Sequence, residues 1–294
     1  MFRTREIEAN GLSFHVVEAG EPGRPLLLLL HGFPEYSGAW EEVMARLQDR
    51  FHLVAPDQRG YGLSSKPYAV TDYATGKLAA DAAAILTAFA PHARAVVGHD
   101  WGASVAYALA IARPELMDKL VILNGAHPIP FQRALAAGGD QSRASQYIDW
   151  LRAEGSEDRL SANGFAKMRR LFAEGIDLSW LSGPRLEAYL EAWGQPGAMR
   201  GMVNWYRATP LRVADPGAPI PEEKLVPFNP DRLRIRPPHL LIWGQGDKAL
   251  LPAATEGLEA LCDDLTRVEI ADADHWICHQ KPDEVCRLIA DFVG

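Results

Sequence analysis

An aspartate between two glycines is the residue of this sequence with the clearest potential for chemistry. Asp100 lies in the segment Gly-His-Asp-Trp-Gly, residues 98–102, directly after the short apolar run 95–97. A strand that turns sharply into a helix needs glycine at both flanks, and the side chain between them then points out above the sheet. A carboxylate in that position is a candidate nucleophile toward carbon. Aspartate is also a favoured N-cap residue, so the motif alone leaves a capping role open.

Two further polar residues follow predicted strands later in the chain. Asp247 comes after the apolar run 239–243, and His275 comes after the run 266–270. Ligands of open parallel sheets bind beyond the carboxyl ends of the strands, so these side chains are expected to meet Asp100. Asp247 alone would be interpreted as a turn residue, and His275 is preferred over His279 because it follows the last strand directly. The order nucleophile, acid, histidine resembles that of the α/β-hydrolase triad.

Short apolar runs separated by helical patterns must position these residues. The predicted strands are residues 6–8, 13–17, 26–30, 51–55, 93–97, 119–123, 239–243 and 266–270. The Asn-Gly pair at 10–11 favours a tight hairpin turn, and uninterrupted apolar runs such as 26–30 are typical of strands buried on both faces. Helical patterns cover residues 78–90, 103–113 and 282–292. The alternation predicts an α/β fold with a mostly parallel, eight-stranded sheet.

The alternation is interrupted once, between about residues 128 and 238. This part contains no convincing strand pattern, and its helical patterns cover residues 147–153, 161–172, 184–193 and 197–208. We interpret residues 128–238 as a helical cap subdomain, inserted into a core domain formed by residues 1–127 and 239–294. Apolar side chains in the predicted cap indicate an apolar pocket; they include Trp150, Phe172, Trp180 and Met202.

Several motifs resemble those of the epoxide hydrolases, a family within the α/β-hydrolase superfamily. The segment His-Gly-Phe-Pro at 31–34 is similar to the family's oxyanion-hole loop, and residues 98–102 are similar to its nucleophile elbow. The segment Asn-Trp-Tyr-Arg at 204–207 resembles the part of the cap that carries one ring-opening tyrosine, which would be Tyr206. The resemblance implies Tyr147 as the second such tyrosine, with Tyr189 as its rival.

The resemblance implies a two-step reaction that needs no metal and no organic cofactor. Asp100 would attack an epoxide carbon while the two tyrosines hold the ring oxygen, and water activated by His275 and Asp247 would then release a vicinal diol. A phenol, with an ordinary pKa of about 10, stays protonated at neutral pH and can donate to the alkoxide. Contacts to the substrate or to the oxyanion are expected from His31, Phe33, Pro34 and Trp101.

Two other functions fit part of the pattern. Haloalkane dehalogenases use the same three residue types on the same fold, and the Trp101 indole would offer an N–H group to a halide. That family commonly has an asparagine as second halide donor where this chain has Phe33, and it has no need of Tyr206. A catalytically silent binding protein is the other alternative, which the retained order of the three triad types disfavours.

Composition and charge narrow the partners. The chain of 294 residues is 48% hydrophobic with a formal net charge of −8, which argues against binding to nucleic acid backbones. Residues 1–6 are charged without a following apolar run, and no stretch approaches the roughly 20 apolar residues that cross a bilayer, so we expect a cytoplasmic protein without membrane contact. The 3 cysteines lack metal-site spacing and fit a reducing compartment. The expected partner is a small apolar epoxide; the assembly is left open, with a homodimer as one candidate.

Overall fold

The strands form one sheet whose parallel part carries the centre of the molecule. The computed structural model describes residues 2–173 and 177–294. The strands are β1 Arg3–Ala9, β2 Leu12–Ala19, β3 Leu26–Leu30, β4 His52–Pro56, β5 Ala93–His99, β6 Met117–Leu123, β7 His239–Gly244 and β8 Leu265–Ile270. Their order is β1-β2-β4-β3-β5-β6-β7-β8; β1 and β2 run antiparallel to their neighbours, and β3 to β8 are parallel. The predicted α/β fold with an eight-stranded, mostly parallel sheet is confirmed.

The five leucines of β3 show why the sheet is buried on both faces. Leu26, Leu28 and Leu30 pack into one hydrophobic cluster, whereas Leu27 and Leu29 pack into another on the opposite face. All five are at most 3% exposed. Because successive side chains of a strand point to opposite faces, an uninterrupted apolar run requires a cover on each side. Polar groups are therefore excluded from the middle of the sheet and gather where the strands end.

Helices cover both faces of this sheet. The helices are α1 Glu41–Leu47, α2 Thr75–Phe89, α3 Trp101–Ala112, α4 Pro128–Ala136, α5 Asp140–Ala144, α6 Tyr147–Arg152, α7 Ser156–Ala173, α8 Gly183–Gly194, α9 Ala198–Ala208, α10 Ile277–Gln280 and α11 Pro282–Val293. Buried residues of α2 and α3 belong to the first cluster, and those of α1 and α11 to the second. We call α4 to α9, between β6 and β7, the cap helices; the cap boundaries at residues 128 and 238 stay a prediction.

Three of the cap helices differ from the sequence prediction. Helix α4 was not predicted because prolines mark its beginning, yet proline is tolerated in the first turn, and the His127 side chain caps it by accepting from the N–H of Ile129 at 3.3 Å. The short helix α5 was also not predicted. Helix α7 begins at Ser156 rather than at 161, and its backbone is non-helical at residues 162–165, where Asn163 and Phe165 have positive φ angles of 53° and 62°.

Other expectations concern membranes, metals and cysteines. Within residues 2–173 and 177–294, no helix is long and apolar enough to span a membrane. The same described ranges hold no group of at least 3 histidine, cysteine or acidic side chains that would bind a metal ion. Cys262, Cys278 and Cys286 are buried and free. Burial raises the pKa of the Cys278 thiol well above its usual value, which disfavours a nucleophilic thiolate there.

Candidate active site

Asp100 lies at a sharp turn between β5 and α3. Its backbone angles are φ 50° and ψ −118°, a strained conformation for a residue with a side chain. A Cβ atom added to Gly98 would lie 2.6 Å from the carbonyl oxygen of Gly102, and one added to Gly102 would lie 2.0 Å from the carbonyl oxygen of Leu30. Only glycine allows this approach, so the two glycines fix the turn. The Asp100 side chain, 16% exposed, stays accessible above the sheet.

Both oxygens of the Asp100 carboxylate have defined neighbours. The backbone N–H of Phe33 donates to Oδ1 at 2.7 Å. The Nε2 atom of His275 lies 3.6 Å from Oδ2. Trp101 is the first residue of α3, where backbone N–H groups have no acceptor within the helix. The loop after β3 therefore holds one carboxylate oxygen, while the other faces the histidine.

His275 and Asp247 form a closely bonded pair. Nδ1 of His275 lies 2.8 Å from Oδ2 of Asp247, and both residues are 3% exposed. Asn124 donates to the same Oδ2 at 2.7 Å, and the backbone N–H groups of Ala249 and Leu250 donate to Oδ1 at 2.8 and 2.9 Å. Asp247 thus keeps its orientation through three donors besides the histidine. The structure brings together all three residues predicted as the triad.

The charges of this group are strongly coupled. Burial lowers the pKa of His275, but Asp247 and Asp100 together raise that pKa well above its usual value. Burial raises the pKa of Asp247, but the charge of His275 and several hydrogen bonds lower it below the usual range. The free protein therefore favours an imidazolium between two carboxylates. Loss of either negative charge would lower the pKa of His275, so a larger fraction of the imidazole would be neutral at neutral pH and able to accept a proton.

Two tyrosines of the cap helices lie near enough to Asp100 to feel its charge. Tyr147 begins α6 and Tyr206 lies in α9, with their ring centroids 6.1 Å apart. The Tyr206 ring meets Phe33 and Trp101 edge-on, each at 5.1 Å, and these are the residues that flank the Asp100 carboxylate. Burial, with a further contribution from the Asp100 charge, raises the pKa of both phenols above the usual value. Both side chains are therefore protonated hydrogen-bond donors.

The rival tyrosine, Tyr189, is bound to a different carboxylate. Its hydroxyl donates to Oε1 of Glu35 at 2.9 Å. It packs edge-on against the ring of Tyr36 at 5.1 Å, away from the tyrosine pair. The geometry therefore favours Tyr147 over Tyr189 as the partner of Tyr206.

Glu35 is the centre of a buried network that sequence reasoning missed. Its carboxylate is bonded to Nδ1 of His99 at 3.0 Å and to Nε2 of His279 at 2.7 Å. Burial raises the pKa of Glu35, but these two histidines lower it well below the usual range. His99 in turn bonds to the carbonyl oxygen of His275 at 2.8 Å. The position of Glu35, directly after the loop 31–34, was a signal for it; Asn124, directly after β6, could have been found by the same strand-end rule that identified Asp247.

The loop after β3 divides into supporting and lining residues. His31 is fully buried, with Nδ1 bonded to the carbonyl oxygen of Gly32 at 2.9 Å and Nε2 accepting from the N–H of Gln58 at 3.1 Å. Both ring nitrogens are occupied, so His31 supports the loop from behind and does not reach the pocket as expected. Phe33 and Pro34 line the pocket.

A cavity of about 410 Å³ opens beside the triad. It is lined by Phe33, Pro34, Arg143, Ala144, Gln146, Tyr147, Leu171, Lys248, Ala249, His275 and Trp276. Three of the apolar residues expected around it lie elsewhere: Lys167 covers the ring of Trp150 at 3.9 Å, Trp180 stacks on His279 at 3.7 Å, and Met202 is buried in the core. The side chain of the fourth, Phe172, lies outside the described part of the chain.

Comparisons with known proteins agree with this geometry. A sequence model described as the α/β-hydrolase fold matches residues 25–282. AB hydrolase superfamily protein YfhM of Bacillus subtilis is 33% identical over 98% of this chain and 96% of its own length. Epoxide hydrolase 4 of Homo sapiens is 32% identical over 98% of this chain and 77% of its own. Among solved structures, an epoxide hydrolase from metagenomes of hot environments has a TM-score of 0.91 at 33% identity, covering 100% of this chain and 99% of that one. The chain belongs to the epoxide hydrolase family of α/β-hydrolases.

Membership in the epoxide hydrolase family confirms the resemblance and makes the chain an enzyme, a hydrolase. The geometry of the site also bears on the dehalogenase alternative. Phe33, where a second halide donor would be needed, offers only its backbone N–H, which already donates to Asp100. The Trp101 side chain is hydrogen-bonded with Tyr206. Both positions therefore fit an epoxide hydrolase better than a halide site.

Proposed function

We propose that this protein hydrolyses an apolar epoxide to a vicinal diol through a covalent ester on Asp100. The observation that carries the proposal is the pair of protonated phenols, Tyr147 and Tyr206, beside a carboxylate 3.6 Å from His275. Hydrolysis of an ordinary ester has no use for two acids at that place, because its leaving oxygen is protonated by the histidine. An epoxide needs them, because its ring oxygen becomes an alkoxide when carbon is attacked.

In the first step, Oδ2 of Asp100, the oxygen that faces His275, attacks one ring carbon. The carbon–oxygen bond breaks, its electron pair remains on the ring oxygen, and a phenol transfers a proton to that oxygen. The second phenol donates a hydrogen bond to the same atom, which lowers the barrier while the negative charge develops. The products of this step are a hydroxyalkyl ester of Asp100 and a tyrosinate.

In the second step, the His275 imidazolium first passes its proton through solvent to the tyrosinate. The neutral imidazole then takes a proton from water, and the resulting hydroxide attacks the ester carbonyl carbon of Asp100. The oxyanion is held by the backbone N–H groups of Phe33 and Trp101, each worth about 3 kcal/mol in sites of this kind. When the ester C–O bond breaks, the imidazolium returns its proton to the leaving oxygen. The new carboxylic acid gives its proton to the neutral His275, so the imidazolium, the carboxylate and both phenols are restored and the net reaction is epoxide plus water to diol.

Esterification of Asp100 also prepares the second step. The negative charge of Asp100 is one of the two that raise the pKa of His275. Ester formation removes that charge, and the pKa of His275 falls as a result. More of the imidazole is therefore neutral, and able to take a proton from water, after ring opening than before it.

Diol formation from an aryl epoxide tests the proposal. Wild-type protein is expected to form the diol, and Asp100→Ala is expected to lose turnover by about 10⁴-fold or more because no ester can form. Asp49→Ala is a matched control, since Asp49 is exposed in the turn before β4. Release of halide from a haloalkane without any diol would favour the dehalogenase alternative, and neither reaction would favour a binding role.

Isotope labelling tests the ester itself. In a single turnover in ¹⁸O-labelled water, the attacking oxygen is expected to enter the Asp100 carboxylate rather than the diol, because water attacks the ester carbonyl carbon. Mass spectrometry of the peptide that contains residue 100 measures this incorporation. Label in the diol after the first turnover would contradict the ester and indicate direct attack by water.

A further inference from the structure

Arg152 joins the two helices that carry the tyrosines. It is the last residue of α6, which begins with Tyr147. Its Nε atom donates to the backbone carbonyl oxygen of Tyr206 at 2.9 Å, and Nη2 donates to those of Leu211 at 2.7 Å and Thr209 at 3.4 Å. These carbonyls lie in the last turn of α9 and just beyond it. Arg152 therefore supplies donors to a helix end whose own carbonyls have no partner within the helix.

Arg207 makes the reciprocal connection. It follows Tyr206 in α9 and donates through Nε to the carbonyl oxygen of Arg152 at 3.3 Å and through Nη2 to that of Ala153 at 3.1 Å. These are the carbonyls at the end of α6. Nη2 also bonds to Oε2 of Glu157 at 2.5 Å, which balances the charge. Each helix is thus capped at its C-terminus by an arginine of the other.

This reciprocal arrangement suits the guanidinium group. A guanidinium has five N–H donors in a fixed plane, so it can bond to several carbonyls at once, which a lysine ammonium cannot do with the same geometry. The side chains of Arg152 and Arg207 are 21% and 15% exposed, so solvent competes only partly for their donors. Both arginines therefore restrain the relative position of α6 and α9.

We infer that Arg152 and Arg207 are positioning residues that set the spacing of the ring-opening tyrosines. The inference rests on the proposed function, because the tyrosines have this task only if an epoxide is opened. The bond from Arg152 to the Tyr206 carbonyl acts on the backbone of the acid itself. Displacement of a catalytic group by about 1 Å can cost about 100-fold in rate, so loss of this bond affects ring opening first.

Single-turnover kinetics with an aryl epoxide test the inference. Rapid quenching followed by intact-protein mass spectrometry gives separate rates for formation and decay of the Asp100 ester. Arg152→Met and Arg207→Met are expected to slow ester formation by about 10- to 100-fold and to leave ester decay within about 2-fold of wild type. Arg152→Lys is expected to restore part of the formation rate, since it keeps the charge and some donors.

Arg159→Met provides a matched control. Arg159 is an exposed arginine of α7 that also donates to a backbone carbonyl, that of Glu154 in the turn before α7, at 3.1 Å, but this bond does not reach α9. Both rates are expected to match wild type in this variant. Rates are normalised to the amplitude of ester, so a loss of folded protein lowers the amplitude and not the rate, and Arg152→Lys serves if the methionine variants do not fold.

The outcomes separate the inference from the function on which it rests. Equal slowing of ester formation and decay, or no change in either, would overturn the positioning role and leave only a contribution to stability. Diol without a detectable wild-type ester adduct under any quench time would instead overturn the proposed function, and the inference with it. Selective slowing of ester formation supports the inference.

Discussion

The two sides of the active site are held in place by different means. On the sheet side, Asp100, Asp247 and His275 follow the parallel strands β5, β7 and β8, and backbone N–H groups bind both carboxylates. On the cap side, Tyr147 and Tyr206 lie on separate helices whose ends are joined by arginine side chains. Backbone donors in the loops that follow the strands do not depend on which side chain they carry, whereas side-chain bonds between helices can be lost with a single substitution. The geometry around Asp100 is therefore the rigid part of the site, and the spacing of the tyrosines is the part that a single substitution can change.

The two sides also differ in charge. The sheet side carries ionised groups, because the two aspartates raise the pKa of His275, and His275 lowers the pKa of Asp247. The cap side carries neutral phenols, whose pKa values burial raises. In the proposed mechanism, the charged groups serve attack and base catalysis, and the neutral donors serve the ring oxygen. We therefore expect substitutions on the two sides to affect different steps.

Replacement of the base on the sheet side has the largest expected effect. In His275→Gln, turnover is expected to fall by about 10⁴-fold or more, because no group activates the water. Ring opening needs only Asp100 and the phenols, so the ester is expected to form and to accumulate. Intact-protein mass spectrometry after incubation with the epoxide measures an adduct with the mass of the substrate.

Asp100→Ala is the matched negative control for this adduct, since it lacks the atom that forms the ester. If the adduct is absent from His275→Gln as well, the histidine is required for ring opening. That result would contradict the assignment of the two steps to different groups. An adduct in both variants would point to a different nucleophile.

Replacement of the acids on the cap side has a smaller expected effect. Tyr147→Phe and Tyr206→Phe are each expected to slow ester formation by about 10- to 100-fold, since one phenol remains, and the double variant by about 10³-fold or more. Ester decay is expected to change little. Single-turnover quench experiments measure both rates, with Tyr68→Phe as control, because Tyr68 is 78% exposed. A clear fall in the rate of ester decay in either phenylalanine variant would contradict a role confined to ring opening.

The sheet side was the part that the sequence predicted well. Uninterrupted apolar runs such as that of β3 can be satisfied only by a doubly covered sheet, and polar residues after such runs must gather at one edge. The meeting of Asp100, Asp247 and His275 at this edge was predicted in this way, and their catalytic roles stay a proposal. His31 was assigned to the pocket wrongly, because a sequence pattern does not reveal that both of its ring nitrogens are bonded to backbone.

The cap side could be predicted only in outline. The start of α4 was hidden by prolines. The break in α7 includes Asn163 and Gly164, an Asn-Gly pair like that at 10–11, but this turn signal lies inside the helical pattern 161–172 and was not read as a break. The mutual capping by Arg152 and Arg207 depends on two helix ends that are 55 residues apart in sequence. Local patterns carry no information about such a contact, since it exists only once the helices have packed.

The smallest expected effect tests the coupling within the sheet side. Asp100→Ala is expected to lower the pKa of His275 relative to wild type, because one of the two carboxylates that raise it is gone. The neutral imidazole is the base, so ester decay should speed up as pH rises through this lowered pKa and slow down below it. Histidine ring NMR in wild type and Asp100→Ala measures the shift, with Asp49→Ala as control. An unchanged pKa would mean that esterification of Asp100 does not prepare His275, and the pH dependence of ester decay would then follow the raised pKa of the free enzyme.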